Sequence, residues 1–149
     1  MSASVDAAPN ASRRDPSQQA LRERRAAVET ARVLEVELRA GLAGEVRFDK
    51  TARMLYSTDA SNYQIEPVGV VIPKTLDDVQ AAIELAASHG VPILPRGGGS
   101  SLAGQAVGAA LVIDFSKYLH RVVAFDPEAR RVTVEPGINL DQLNKHLKP

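Results

Sequence analysis

"VGVVIPKTLDDVQAAIELAASHGVPILPRGGGSSLAGQ", residues 68–105, is the stretch whose reading decides the fold. It opens on "VGVVIP", a β-branched run of strand length closed by Pro73. "TLDDVQAAIELAASHG" then reads as a helix: Thr75 is the expected N-cap, and Asp78 stands three residues on, where a carboxylate completes a capping box. Asp77 and Asp78 also favour the helix's positive end. Val79, Ala82, Ile83, Ala86 and Ala87 form the expected buried stripe, and Gly90 ends the helix. "VPIL" is a second strand. Strand, helix and strand within about thirty residues predict a βαβ unit with a parallel pair and a right-handed crossover.

Downstream, "ALVIDFS" reads as a third strand, and "RVVAFDPEARRVTVEPG" as an antiparallel hairpin turning at Asp126-Pro127-Glu128. "NLDQLNKHLKP" begins a helix with Asn139 as N-cap and Gln142 three residues later. Its Leu140, Leu143 and Leu147 need a surface to pack on, so the chain is expected to be a fragment of a longer protein. Upstream, Ala27, Ala31, Leu34 and Leu38 recur at steps of three and four, the period of an amphipathic helix that Gly41 and Gly44 stop. "EVRFD" is a short extended piece, and "KTARMLYSTDASNYQIEP", which lacks a clear period, is expected to be loop with local turns. The division that follows is a disordered tail over 1–17, a helix and connector over 18–55, and the principal domain over 56–149.

Composition narrows the function. A chain of 149 residues holds one globular domain at most. Eighteen basic residues balance eighteen acidic ones, which leaves no overall electrostatic footprint for nucleic acid or an anionic membrane. Any anion site must be local. The absence of cysteine excludes disulfides and thiolate ligation, and no stretch approaches the roughly 18 apolar residues that span a bilayer. Polar and charged residues follow Arg13 and Arg14 where an exported protein places an apolar segment, so the chain is expected to be soluble and cytoplasmic. His89, His120 and His146 are scattered and read as surface or capping residues.

Four of the ten glycines fall between Gly97 and Gly104. Three phosphate or nucleophile motifs fail there at a required residue. As a P-loop, Gly99 and Gly104 are followed by Gln105 and Ala106 where a Lys and a hydroxyl residue must stand. As a dinucleotide fingerprint, Gly97 and Gly99 are followed by Leu102 at the third glycine. As a nucleophile elbow, Gly98-Gly99-Ser100-Ser101-Leu102 lacks its last glycine. The remaining readings are a flexible surface loop and a bare anion nest. In the nest, backbone N–H groups of residues 97–101 converge, Ser100 and Ser101 add hydroxyls, and Arg96 adds charge. The loop follows directly on a strand of a βαβ unit, at the edge where open α/β sheets bind nucleotides.

The order of pieces "VVIP", "TLDDV", "PRGGG", "IDFS" and "VTVEPG" closely resembles the first half of the PCMH-type FAD-binding domain of the vanillyl-alcohol oxidase and p-cresol methylhydroxylase superfamily. The resemblance is nearest to bacterial FAD-linked dehydrogenases of the D-lactate dehydrogenase and glycolate oxidase large-subunit type, some of them fused to an iron–sulfur region. It implies an α+β fold of a βαβ unit with an antiparallel hairpin and flanking helices. It also implies that Pro95, Arg96, Gly97, Gly98, Gly99, Ser100 and Ser101 cradle the diphosphate of FAD. Gly104 and Gln105 would lie on the flavin side, Ile72 and Pro73 beside the adenosine, and Pro136 and Gly137 against the cofactor through backbone, with Asp114 and Ser116 either buttressing the loop or making a strand-ending turn. Ser100 stands where several branches carry a flavin-linked His, so the resemblance implies noncovalent FAD. Asp59 and Tyr63, in "STDASNYQ", match a segment before the FAD strand whose role is read as packing. The implied activity is oxidation of an α-hydroxy acid by hydride transfer to flavin, with the substrate-handling residues in segments that have no counterpart here. The alternative is a small nucleotide- or anion-binding module without redox activity.

Overall fold

The computed structural model describes residues 15–148. Four helices and six strands follow in the order α1 (Pro16–Gly41), β1 (Glu45–Arg47), α2 (Lys50–Leu55), β2 (Gly69–Ile72), α3 (Leu76–Ser88), β3 (Ile93–Arg96), β4 (Leu111–Asp114), β5 (Val122–Asp126), β6 (Arg131–Val134) and α4 (Leu140–Leu147). The fold is α+β: a mixed four-stranded sheet in the order β1-β2-β4-β3, and a separate β5–β6 hairpin. The strands "VGVVI" and "VPIL" are parallel, as expected, but are not neighbours. β4 lies between them and pairs in parallel with both, Val112 opposite Val70 on one side and Leu94 on the other. β1 adds antiparallel to β2, Val46 opposite Val71.

Alternation along the central strands sorts the core into two faces. Val71, Leu111 and Ile113 face Leu34 and Leu38 of α1 and Ala82 and Ala86 of α3, while Val70, Ile72 and Val112 meet Tyr56, Leu94 and Tyr118 on the other side. β2 and β4 are buried along their whole length, which accounts for their unbroken apolar runs.

The local expectations hold unevenly. Residues 1–14 of the expected tail lie outside the described residues. Pro16 and Ser17 belong to α1, because Asp15 caps the helix by accepting from Ser17 N at 2.9 Å and Pro16 suits the first helical position. Residues 50–55, expected as loop, form α2. Asp49 caps it through Ala52 N at 2.9 Å, and Ala52 is its one buried residue, so no repeated apolar stripe marks it in the sequence.

The stripe of α3 is also displaced. Asp78, Ala82, Leu85 and Ala86 face inward, while Ile83 and Ala87 are exposed. The reason is Asp78 itself. Besides completing the capping box with Thr75, its carboxylate accepts from Ala43 N at 2.9 Å and Lys74 N at 2.8 Å, tying the α1–β1 connection to the β2–α3 connection. Position 78 therefore faces the protein and carries positions 82, 85 and 86 with it. In α4, Asn139 caps by accepting from Asp141 N at 2.8 Å. No described helix is long and apolar enough to cross a membrane.

Asp78→Ala leaves the amides of Ala43 and Lys74, which meet a buried carboxylate in part-buried bonds, without that acceptor, and should lower the unfolding free energy by about 1–3 kcal/mol in urea denaturation. A second expectation concerns Glu45. Its carboxylate accepts from Lys117, from Tyr118 at 2.7 Å and from Arg47, and these contacts hold its pKa down from 4.5 to about 2. A depressed carboxyl pKa stabilises the fold above the unfolded value and loses that contribution as pH falls through the folded one. Between pH 4.5 and about 2 the wild type should therefore lose stability that Glu45→Gln, measured by urea midpoints over the same range, does not lose.

Candidate functional site

Ile72, Arg96 and Asp114 end β2, β3 and β4, so the chain leaves all three parallel strands at one edge. The glycine loop leaves β3 there. Residues 135–140 reach the same edge because the hairpin returns the chain: Glu135 N donates to Arg121 O at 2.9 Å and Gly137 N to Leu119 O at 2.8 Å. The Glu135 carboxylate binds Arg121 through both its side chain and its backbone N–H, and the guanidinium contact, the larger cause, lowers the Glu135 pKa. Gly137 is packed so closely on Phe115 and Leu119 O that a Cβ would lie 2.8 Å from the latter.

A cleft of about 510 Å³ opens between these two segments. One wall is Gly97, Gly98 and Ser100; the other is Pro136, Gly137 and the first residues of α4, with Ser116 and His120 between. A Cβ built on Gly97 or Gly98 meets nothing within 4 Å. Among the described residues, the backbone N–H groups of Gly97, Gly98, Gly99, Ser100 and Ser101 have no protein acceptor. Five consecutive free donors, three of them on residues that line the cleft, are the chemistry of an anion cradle.

The site residues expected from the sequence divide into three groups. Gly97, Gly98, Ser100, Ser116, Pro136 and Gly137 come together in the cleft. Ser101, Gly104 and Gln105 form a turn to one side, in which the Ser101 hydroxyl bonds the Gln105 side chain and accepts from Ala103 N at 3.3 Å and Gln105 N at 3.1 Å. Outside these groups, Pro95 is part of β3 opposite Ile113, and Ile72 and Pro73 are buried. The third group is Arg96 with Gly99. The Arg96 guanidinium is directed at its own loop: it donates to Ala106 O at 2.9 Å and Tyr56 O at 3.4 Å and lies 5.2 Å from the centre of the Tyr56 ring. Gly99 has φ +65°, and a Cβ there would sit 2.8 Å from Arg96 Cζ.

Asp114 closes a turn at the end of β4 with Ser116, and it also holds a residue that sequence reasoning passed over. Its carboxylate accepts from Ser116 N at 2.8 Å and from the Tyr56 hydroxyl at 2.6 Å. Burial, reinforced by that bond, pushes the Tyr56 phenol pKa up, which keeps the group protonated as the donor. Asp59 and its neighbours do more than pack. Asp59 accepts from Ala106 N at 3.2 Å, Ala60 N donates to Gly99 O at 3.0 Å, and the Tyr63 ring lies against Gly104. The Ser61 hydroxyl holds the Asp59 carboxyl below its ordinary pKa. No local signal marks Tyr56, since its partners lie some forty to sixty positions away.

The histidines separate. His89 pairs with Glu37 at 2.7 Å and His146 meets the Phe125 ring edge-on at 6.4 Å. His120 lines the cleft, and its buried Nδ1 has no partner among the described residues.

An α+β unit that gathers its parallel strand ends, a glycine-rich donor loop and a return hairpin around one cleft is a nucleotide-holding module. The chain belongs to the FAD binding domain family, whose model matches residues 67–149. It is 38% identical over 112 residues to the D-2-hydroxyglutarate dehydrogenase of Escherichia coli (strain K12), across 73% of this chain and 11% of that protein. It is 34% identical over 108 residues to the glycolate oxidase subunit GlcD of Bacillus subtilis (strain 168), across 68% of this chain and 23% of that one. The fold recurs in p-cresol methylhydroxylase with substrate bound, with TM-score 0.54 and 21% identity over 84% of this chain and 24% of that one. The chain thus spans about a tenth to a quarter of the length of these proteins.

Gly99→Ala forces a side chain into positive φ and against Arg96, and should cost about 1–3 kcal/mol of stability. Gly97→Ala, with open space at Cβ, should stay within about 0.5 kcal/mol of wild type in the same thermal denaturation.

Proposed function

We propose that the cleft holds the diphosphate of FAD noncovalently, and that the chain is the cofactor-binding part of an FAD-linked dehydrogenase acting on a small 2-hydroxy acid. The observation that carries the reading is the run of N–H groups from Gly97 to Ser101 without a protein acceptor, three of whose residues, Gly97, Gly98 and Ser100, line the cleft. Family membership supports FAD as the occupant, and the names of the relatives, D-2-hydroxyglutarate dehydrogenase and glycolate oxidase among them, support the substrate class.

In this reading Gly97, Gly98 and Ser100 donate to phosphate oxygens, and Pro136 and Gly137 pass along the opposite side of the diphosphate through backbone. The first turn of α4 places its positive end toward the same anion. Ser100 offers a hydroxyl donor and no imidazole, which fits noncovalent attachment. Gly104 and Gln105 continue the loop toward the flavin. When bound, FAD supplies the hydride acceptor for oxidation of the hydroxyl-bearing carbon. The chain's own contribution is to bind and orient it.

FAD titrated into the isotope-labelled chain should shift the amide resonances of Gly97, Gly98 and Ser100 saturably. At Gly98 the backbone φ is not positive and the Cβ position is open, so Gly98→Val should fold normally yet fill the cradle and weaken binding by tenfold or more, an estimate of about 1.4 kcal/mol upward. Ser100→Ala removes one hydroxyl bond to a charged group, worth about 1.5–3 kcal/mol and partly replaced by water, so its loss should be smaller. Wild-type affinity in a folded Gly98→Val protein would rule the cradle out.

A further inference from the structure

Arg96 is the one cation in the glycine loop, and the simplest expectation is that it binds phosphate. The geometry points elsewhere. Its guanidinium is committed to two backbone carbonyls, one of them at the far end of the loop at Ala106, and it lies against the Tyr56 ring. Arg96 is absent from the residues that line the cleft. Gly99, lacking a side chain, leaves the space the guanidinium takes.

Each contact pins a different point of the loop. Ala106 O fixes its end, Gly99 its middle, and Arg96 O, which accepts from Phe115 N at 3.0 Å, its start. Tyr56 in turn is held by Asp114, the last residue of β4, so the loop is referred to the sheet through a ring and a carboxylate. Tyr56 lies outside residues 67–149, the segment the family model matches.

We propose that Arg96, Tyr56 and Asp114 form a latch that sets the shape of the glycine loop, so that Arg96 serves a bound diphosphate as a positioning residue and not as a phosphate ligand. The ligand half of this statement rests on the diphosphate reading above; the latch stands on the free chain. Both carbonyls accept from one nitrogen, Nη1, while the rest of the guanidinium lies over the Tyr56 ring and beside Gly99; lysine keeps the charge but not the planar group that fills that space. Arg96→Lys is therefore the variant that separates charge from shape.

The experiment uses the isotope-labelled 149-residue chain, free and with inorganic pyrophosphate. In the free chain, Arg96→Lys and Tyr56→Leu should both move the amide resonances of Gly97, Gly98, Gly99 and Ala106. Arg96→Lys should weaken pyrophosphate by about tenfold although the charge is retained, and Tyr56→Leu, which removes no group from the cleft, by a similar factor. The double variant should lose little more than either single one, the signature of groups acting as a unit. Should Tyr56→Leu fail to fold, Tyr56→Phe, which removes only the bond to Asp114, carries the same comparison with a loss of about two- to threefold.

Unmoved loop amides in free Arg96→Lys would overturn the latch. Wild-type pyrophosphate affinity in that variant, or additive losses in the double variant, would make Arg96 an ordinary charge partner of the phosphate. A wild-type chain that ignores pyrophosphate and FAD sinks the diphosphate reading alone, because the free-chain shifts still decide the latch.

Discussion

β4 hydrogen-bonds on both edges, to β2 and to β3, and the site depends on that double pairing. Four residues, Leu111 to Asp114, are all buried, and they bring into register two strands joined by a helix. Parallel pairing on both sides means that Ile72, Arg96 and Asp114 end side by side. The chain must then leave β3 at that edge and cross back over the sheet to begin β4 at the opposite one, where Leu111 lies against Ile93, and the glycine loop is the first part of that crossover. Among the described residues, the N–H groups of residues 97–101 find no protein acceptor.

The composition of the loop also explains the division of labour among its residues. A loop with so little side chain has no means of holding its own shape against the backbone entropy of glycine. Contacts from outside do it. The segment between α2 and β2 contributes the Tyr56 ring, the Asp59 carboxylate and the Ala60 N–H, and β4 contributes Asp114. Free donors and held shape are two sides of one arrangement: the guanidinium of Arg96 and the N–H of Ala60 are donors that hold the loop by its carbonyls, and the Asp59 carboxylate is taken by Ala106 N, which leaves the amides of residues 97–101 free.

Much of this was legible in the sequence where periodicity or a cap announced it. Thr75 and Asp78 marked the start of α3, Asp126-Pro127 the hairpin, and the β-branched runs the central strands. What stayed hidden was set by distant partners. The order of strands is invisible to a reading of neighbours, and β4 between β2 and β3 has no local signature. The rotation of α3 follows from amides at Ala43 and Lys74 reaching Asp78, a polar contact that outweighs the apolar choice of Ile83. At the site, the cluster of glycines located the loop. The turn of Arg96 toward Ala106, and the part played by Tyr56, come from a tertiary network that joins residues remote in the chain.

The two walls of the cleft are of unequal firmness. The glycine loop springs from the buried sheet, whereas β5 and β6 pack chiefly on each other and α4 buries none of its residues. A protein of this build opens in parts, and the hairpin with α4 forms the unit whose amides exchange with solvent at the lower free energy. Any molecule that bridges both walls must hold that unit in place, so occupancy of the cleft raises the exchange protection of β5 and β6 although no ligand touches them. Protection in the hairpin is thus a remote gauge of whether the cleft is filled.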